Sequence, residues 1–375
     1  MNKFFTRLKP ILLPLSIWLV TLFLVGTWSI RHLPFEPSFP YYHDLSASYS
    51  RELSTLAHFD GIHYLRLVHK GYDDTGSQAF FPVYPLLIAA FSSFGIDPLY
   101  VSLGLNFLFL LITFYILSLS LTHTHLHRFA FVLLSFPASF FLLAVYTESL
   151  FLLLVVLFFH LLSKQKFLLA AVVAGLASGT RLVGIFLSVA LLIELFTYLR
   201  GKKIHSYLPT LLVAALISIS GFVAYAAYLG LKFADPLMFF HVQTMFDNGR
   251  SGDSLIMLPQ VLYRYIRILL TVSPASILYL RATWELLTFI LALSALIYYR
   301  HRLRLSALAF CSLAIILPTL SGTLSSFPRY LLVLSPLFIV AAQNLHQKYL
   351  YLFSLLQYAI LIIVTALFVQ GIFIA

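Results

Sequence analysis

Residues 11–30 read ILLPLSIWLVTLFLVGTWSI, twenty positions without a charged side chain. At about 1.5 Å per helical residue, such a run matches the roughly 30 Å hydrocarbon core of a bilayer. Lipid offers the backbone no hydrogen bonds, so each segment must satisfy its own amides and carbonyls, and a helix does so. Comparable runs lie near 98–121, 129–146, 148–163, 208–231, 283–299 and 349–373, and about ten to thirteen segments can be counted between Pro, Gly and charge clusters. The run 79–95 is short and carries Pro82 and Pro85, so it is expected to cross obliquely or re-enter. The run 167–199 is too long for one helix and is interrupted by SGTR at 178–181, which predicts two spans joined near Arg181.

Only 10% of the 375 residues are charged while 61% are hydrophobic, a balance outside that of soluble domains. The expectation is an all-α polytopic membrane protein forming one transmembrane domain over 1–375. Its first run follows MNKFFTRLKP with no small-residue cleavage site, which reads as an uncleaved span with a cytoplasmic N-terminus. The single cysteine, Cys311, sits in an apolar run and reads as a small buried hydrophobe.

The formal charge of +11 is sorted by membrane side before it is assigned to any partner. Lys3, Arg7, Lys9, Arg128, Lys164, Lys166, Arg200, Lys202, Lys203, Arg300, Arg302, Arg304 and Lys348 all face the cytoplasm in one consistent threading, with Glu194 as the one acid near them. The positive-inside rule thus accounts for the basic excess, and no nucleic-acid partner is expected. The same threading puts 31–78, YTES at 146–149, GTR at 179–181, the loop 232–258 and FPRY at 327–330 on the opposite face. The long polar segments, 31–78 and 232–282, are where function is expected to sit.

Within 31–78, the stretch 46–70 has partial helical periodicity through Leu53, Leu56, Phe59, Ile62, Leu65 and Val68, which predicts an amphipathic helix lying along the membrane surface. Asp60, His63 and Tyr64 share one face of it. A carboxylate at the water–lipid boundary can accept a hydroxyl proton while His63 and Tyr64 orient a substrate, although spacing alone favours a solvated surface helix.

HFDGIHYLRLVHKGY (58–72) followed by AFFPVYPLLI (79–88) resembles the signature of PIG-V-like mannosyltransferases, relatives of GPI mannosyltransferase II in the GT-C class of membrane glycosyltransferases. Phe59 stands where that family usually has Trp. FPASFFLLAVYTESLFLLL (136–154) and AGLASGTRLVGIFL (174–187) are similar to later family elements, with weaker likeness at DPLMFF (235–240) and FPRYLLVLSPLF (327–338). The resemblance covers most of the chain. It implies inverting transfer of a sugar, with mannose as the family's sugar, from a polyprenyl-phosphate donor to a lipid or glycan acceptor, without a metal or other cofactor. By motif position Asp60 is the catalytic base it implies.

The remaining candidates are substrate-binding ones. Arg181 lies between apolar half-spans, where a cation is costly unless paired; it suits a lipid phosphate, or a salt bridge with Glu148. Arg329 in FPRY suits a phosphate at the membrane surface or a snorkelling role. Gln78, Tyr84 and Tyr146 suit a sugar site or the interfacial aromatic belt. His123, His125 and His127 alternate without nearby Cys or carboxylate, which is a poor metal site, and Asp73-Asp74 beside Thr75 and Gly76 reads as a turn. The rival reading is a transporter or flippase of a lipid-linked substrate, which predicts paired broken helices in two halves. The expected location is a prokaryotic plasma membrane with an outward site, or an endoplasmic reticulum membrane with a lumenal one.

Overall fold

The computed structural model of the protein describes residues 2–37, 39, 41–74, 76–200, 204–246, 250–252 and 254–374, and the regular elements among them are helical. In chain order the α-helices are α1 (Asn2–His32), α2 (Tyr42–Ser48), α3 (Arg51–Ser54), α4 (Asp60–Lys70), α5 (Val83–Ser92), α6 (Pro98–Ser118), α7 (His123–Ser135), α8 (Glu148–Ser163) and α9 (Phe167–Ser178). They continue as α10 (Ile185–Leu199), α11 (Ile204–Phe233), α12 (Met238–His241), α13 (Leu258–Thr271), α14 (Ile277–Tyr299), α15 (Leu305–Ile316), α16 (Phe327–Leu331), α17 (Ser335–Asn344) and α18 (Gln347–Val369). Lys202 and Lys203 of the basic clusters, and Thr75, lie outside the described residues.

Among the described residues, six stretches are long and apolar enough to cross a membrane: Phe5–His32, Pro98–Ser118, Leu182–Leu199, Leu208–Phe233, Ile277–Tyr299 and Gln347–Val369. Shorter apolar helices occupy Val83–Ser92, Glu148–Ser163, Phe167–Ser178 and Leu305–Ser321. The long helices also leave large apolar side chains uncovered, among them Phe23 at 69%, Leu216 at 67% and Ile363 at 60% exposure. In water each such side chain forfeits on the order of 2 kcal/mol of burial, whereas lipid solvates it without that loss. The protein is an all-α, multi-pass membrane protein.

Two expected segments fold differently, and a third takes the shorter of its two expected forms. The run 129–146 is α-helical only to Ser135; Pro137 follows, and 136–147 continues as turns around a 3-10 segment, Ser139–Leu142, buried except at Leu143. The amphipathic stretch 46–70 is not one helix but α2, α3, a 3-10 turn and α4, because the backbone reverses at Phe59 (φ 56°, ψ −116°). In the run 79–95 only Val83–Ser92 is helical, about 15 Å long, too short to span.

The chain divides into two compact units. The first comprises 1–71, 85–153 and 338–375, and the second 72–84 and 154–337. In the first, α1 packs on α6, α7 and α18. Fully buried Trp18 fixes α1 by donating its indole N–H to Ser139 Oγ at 2.9 Å, and Tyr358 of α18 donates to Thr21 at 2.8 Å. Asp97 caps α6 by accepting the Leu99 N–H at 2.8 Å, with Pro98 at the first helical position.

In the second unit, α9 and α11 approach closely through glycines. A Cβ at Gly175 would stand 2.5 Å from the Ile217 carbonyl oxygen, and one at Gly221 would overlap the Gly175 carbonyl. Gly175 and Gly179 form a G-x-x-x-G pair, the spacing that lets helix backbones meet in lipid. Nearby, α10 meets α15, where Glu194 accepts from Ser306 at 2.7 Å and lies 3.6 Å from Arg304. The one acid expected beside the cytoplasmic basic clusters thus pairs with a member of them.

Candidate active site

Asp60, His63, Tyr64, Tyr146 and Glu148 belong to the first unit; Gln78, Tyr84, Arg181 and Arg329 belong to the second.

In the first unit the HFDG loop and the YTES turn are fastened together. The Val145 N–H donates to the Leu56 carbonyl at 2.8 Å, and the Tyr146 hydroxyl donates to the His58 carbonyl at 2.8 Å. Gly61 completes the fit, since a Cβ there would stand 3.3 Å from the Val145 carbonyl oxygen. From below, the Asn106 amide donates to the carbonyls of Ala144 and, at 3.1 Å, Tyr146. An irregular segment this buried needs such donors, because its own ladder supplies none.

The same contacts place two carboxylates at helix starts. Asp60 opens α4 and Glu148 opens α8, where the helix macrodipole favours negative charge. Asp60 is half-buried, and Glu148 is 1% exposed. The reversal that starts α4 falls on Phe59, a positive φ on a bulky non-glycine residue, which persists only where surroundings over-determine it. Those surroundings are aromatic: the rings of Phe39, Phe373 and Phe368 lie 4.8, 5.0 and 5.6 Å from that of Phe59.

His58, just before the reversal, is 2% exposed. Burial pushes its imidazole down to about 4, with the Arg51 charge acting in the same sense and the Phe368 carbonyl opposing. The ring is therefore neutral at pH 7, and its Nδ1–H donates to that carbonyl at 3.1 Å. His63 and Arg66, three apart on α4, both meet Tyr41: His63 edge-on at 5.9 Å, Arg66 stacked at 3.9 Å and paired with Asp44 at 2.8 Å. Tyr64 and Tyr146 are buried.

In the second unit, the segment 72–84 is sewn to its neighbours. Gln78 uses its side chain within the loop, accepting the Gly76 N–H at 2.9 Å, and its carbonyl accepts the Tyr225 hydroxyl at 2.7 Å. The Val83 N–H donates to the Gly179 carbonyl at 3.1 Å, and Tyr84 is fully buried. Asp73 pairs with Lys232 at 3.0 Å, so these two expected same-side segments meet.

Arg181 occupies the interruption between α9 and α10 that the SGTR motif predicts, its backbone extended at φ −153°. Its guanidinium carbon lies 5.0 Å from the Tyr330 ring centroid, and that of Arg329 lies 5.6 Å from the same centroid. Tyr330 thus brings the two candidate phosphate-binding arginines together. Arg329 is 6% exposed, within α16, which follows a left-handed Ser326 (φ 66°).

Two buried residues that no motif marks belong to the same region. Glu285, 2% exposed in α14, accepts the hydroxyl proton of Tyr265 from α13. Asn106 and His58 carried no assigned role in the sequence either. Only a polar residue inside an apolar helix marks Asn106 and Glu285 in advance.

Among the described residues no group of three His, Cys, Asp or Glu side chains is placed to hold a metal ion. His127 of the alternating histidines donates Nδ1–H to the Pro10 carbonyl at 2.8 Å. No protein-family model matches the chain, and none of the curated proteins matches it.

Proposed function

We propose that this protein is an inverting membrane glycosyltransferase, moving a sugar from a polyprenyl-phosphate donor to a lipid or glycan acceptor at the non-cytoplasmic face of a plasma or endoplasmic reticulum membrane. Mannose is the sugar the sequence resemblance favours. The observation that carries the reading is Asp60: a half-buried carboxylate opening α4, held behind a strained Phe59 and a loop fastened to the YTES turn.

In the reaction, the acceptor hydroxyl oxygen attacks the anomeric carbon from the face opposite the phosphate. Its proton passes to an Asp60 carboxylate oxygen, and the bond from the anomeric carbon to the phosphate oxygen breaks with its electron pair leaving on the lipid phosphate. Arg181 and Arg329, which share the Tyr330 ring within the second unit, are the candidates for holding a lipid phosphate, since a guanidinium fork suits that anion. Asp60 then releases its proton to solvent. Glu148, at the start of α8, is a supporting residue, as are His63 and Tyr64 on α4.

A transporter is the second reading, favoured by the interruption at Arg181 between α9 and α10. Transfer of radiolabelled mannose from polyprenyl-phosphate-mannose to a total lipid extract decides between them. Wild-type activity reduced by about 10²–10⁴ in Asp60→Asn supports the enzyme and its base. Equal activity removes Asp60 from the mechanism, and no transfer by either protein, with donor sugars and acceptors varied, favours the transporter.

A further inference from the structure

Glu285 lies about two turns into α14, a helix of membrane-spanning length, yet is only 2% exposed. A carboxylate so placed is costly unless its charge is met, and ionisable groups inside spans are kept for a purpose. Its Oε1 stands 4.0 Å from Arg281 Nε, one turn earlier, while its Oε2 takes the Tyr265 hydroxyl proton.

That second contact has a geometric result. With its single proton committed to the carboxylate, the phenol oxygen is left to accept. It accepts the Leu324 N–H at 2.9 Å and lies 3.1 Å from Thr323 Oγ1, which in turn accepts the Ser325 N–H at 3.1 Å. The turn 322–326 is held at its ends as well. Arg264 donates to the Gly322 carbonyl at 3.3 Å and Arg250 to Ser326 Oγ at 3.4 Å, while the Ser251 N–H meets the Ser321 carbonyl at 2.8 Å.

The turn contains two left-handed residues, Gly322 (φ 90°) and Ser326 (φ 66°), and Ser326 is a non-glycine residue in a conformation that must be imposed. Directly after it comes α16 with buried Arg329. Fixing a buried turn in place needs no carboxyl group, and a buried one is a poor source of stability alone. A carboxyl oxygen does, however, take up the one hydrogen-bond donor of the phenol and so direct its lone pairs at the turn.

We infer that Glu285 and Tyr265 are positioning residues for Arg329: the carboxylate orients the phenol, the phenol holds the turn 322–326, and the turn sets how α16 presents the arginine. This rests on the reading of Arg329 as a partner of the donor phosphate.

The test is steady-state transfer with polyprenyl-phosphate-mannose as donor, on wild type, Tyr265→Phe, Glu285→Gln, Glu285→Leu, Arg329→Gln and the Tyr265→Phe/Arg329→Gln double variant. Tyr265→Phe is expected to raise the donor KM about tenfold without moving the acceptor KM. Glu285→Gln, which keeps an acceptor oxygen, is expected to do less harm than Glu285→Leu. In the Arg329→Gln background, Tyr265→Phe is expected to add nothing further, because its effect runs through the missing arginine. Multiplicative effects in the double variant, or equal shifts in donor and acceptor KM, overturn the positioning role while leaving the glycosyltransferase standing. A folded wild type that transfers no sugar, with donor sugars and acceptors varied, overturns both. Should Tyr265→Phe fail to fold, the comparison of Glu285→Gln with Glu285→Leu, each with and without Arg329→Gln, gives the same decision.

Discussion

The hydroxyl of Tyr146 donates to the carbonyl of His58 at 2.8 Å, tying the turn before α8 to the residue two positions ahead of Asp60. Tyr146 is 1% exposed, so water cannot replace the bond. The position of Asp60 therefore depends on a residue almost ninety positions away in sequence, through the carbonyl that precedes the strained Phe59 peptide.

Tyr146→Phe isolates that bond. The His58 carbonyl keeps a second donor, the Gly61 N–H at 3.2 Å, so the expected loss of stability is modest, about 1 kcal/mol. The expected loss of sugar transfer is larger, about tenfold, because misplacing a base by a fraction of an ångström matters more to rate than to folding. Thermal unfolding in detergent beside transfer kinetics checks the pair of outcomes, and a fall in stability with unchanged kcat would detach this bond from catalysis.

His58 makes the same region sensitive to acid. Its folded value is held down to about 4 against an ordinary 6.5, so between those values the unfolded chain binds the extra proton. Stability contributed by the neutral ring is thus complete above about pH 6.5 and is lost as pH falls toward 4, by roughly 2 kcal/mol at pH 5. In His58→Gln the slope of unfolding midpoint against pH is expected to flatten across that window. An unchanged slope would assign the acid sensitivity to other groups.

The six long helices were legible because hydropathy reports what lipid demands of a span, and the interruption at Arg181 was legible because SGTR places small and charged residues inside an apolar run. The buried turns of 136–147 were not. Their side chains are as apolar as those of a helix, and the residues that stabilise them, Asn106 and Trp18, lie on other helices. Apolar spacing likewise ran through Phe59 without reporting its positive φ, since that reversal is imposed by packing against Phe39, Phe368 and Phe373. Tyr265 and Glu285 read as an ordinary aromatic and a single acid in the sequence. Their pairing depends on how α13 meets α14.

Glycine substitutions test the packing of α9 on α11. Gly→Ala within a helix ordinarily helps by up to about 1 kcal/mol, but at Gly221 the new methyl would overlap the Gly175 carbonyl. Backbone is least able to give way, so Gly221→Ala is expected to destabilise by about 1–3 kcal/mol. Gly26→Ala, with nothing within 4 Å of its Cβ, is the matched control and is expected to be tolerated. Equal unfolding midpoints for the two variants would refute the close approach.

Arg181 separates charge from shape. Its guanidinium shares the Tyr330 ring with that of Arg329, at 5.0 and 5.6 Å, an arrangement that depends on a flat cation over an aromatic face. Arg181→Lys keeps the charge but gives up the planar fork and the stacking, so the two substitutions Arg181→Lys and Tyr330→Leu are expected to act alike. If the arginine grips a lipid phosphate, both raise the donor KM by about tenfold and leave the acceptor KM alone, because an ammonium, or a guanidinium loosened by loss of the ring, still supplies attraction but no longer two aligned donors. If its role is confined to bridging α9 and α16, both lower the unfolding midpoint and leave the donor KM where it was. Binding of polyprenyl phosphate without its sugar sharpens the distinction, since weakened binding in Arg181→Lys at unchanged thermal stability is expected from a phosphate contact and not from a purely structural bridge.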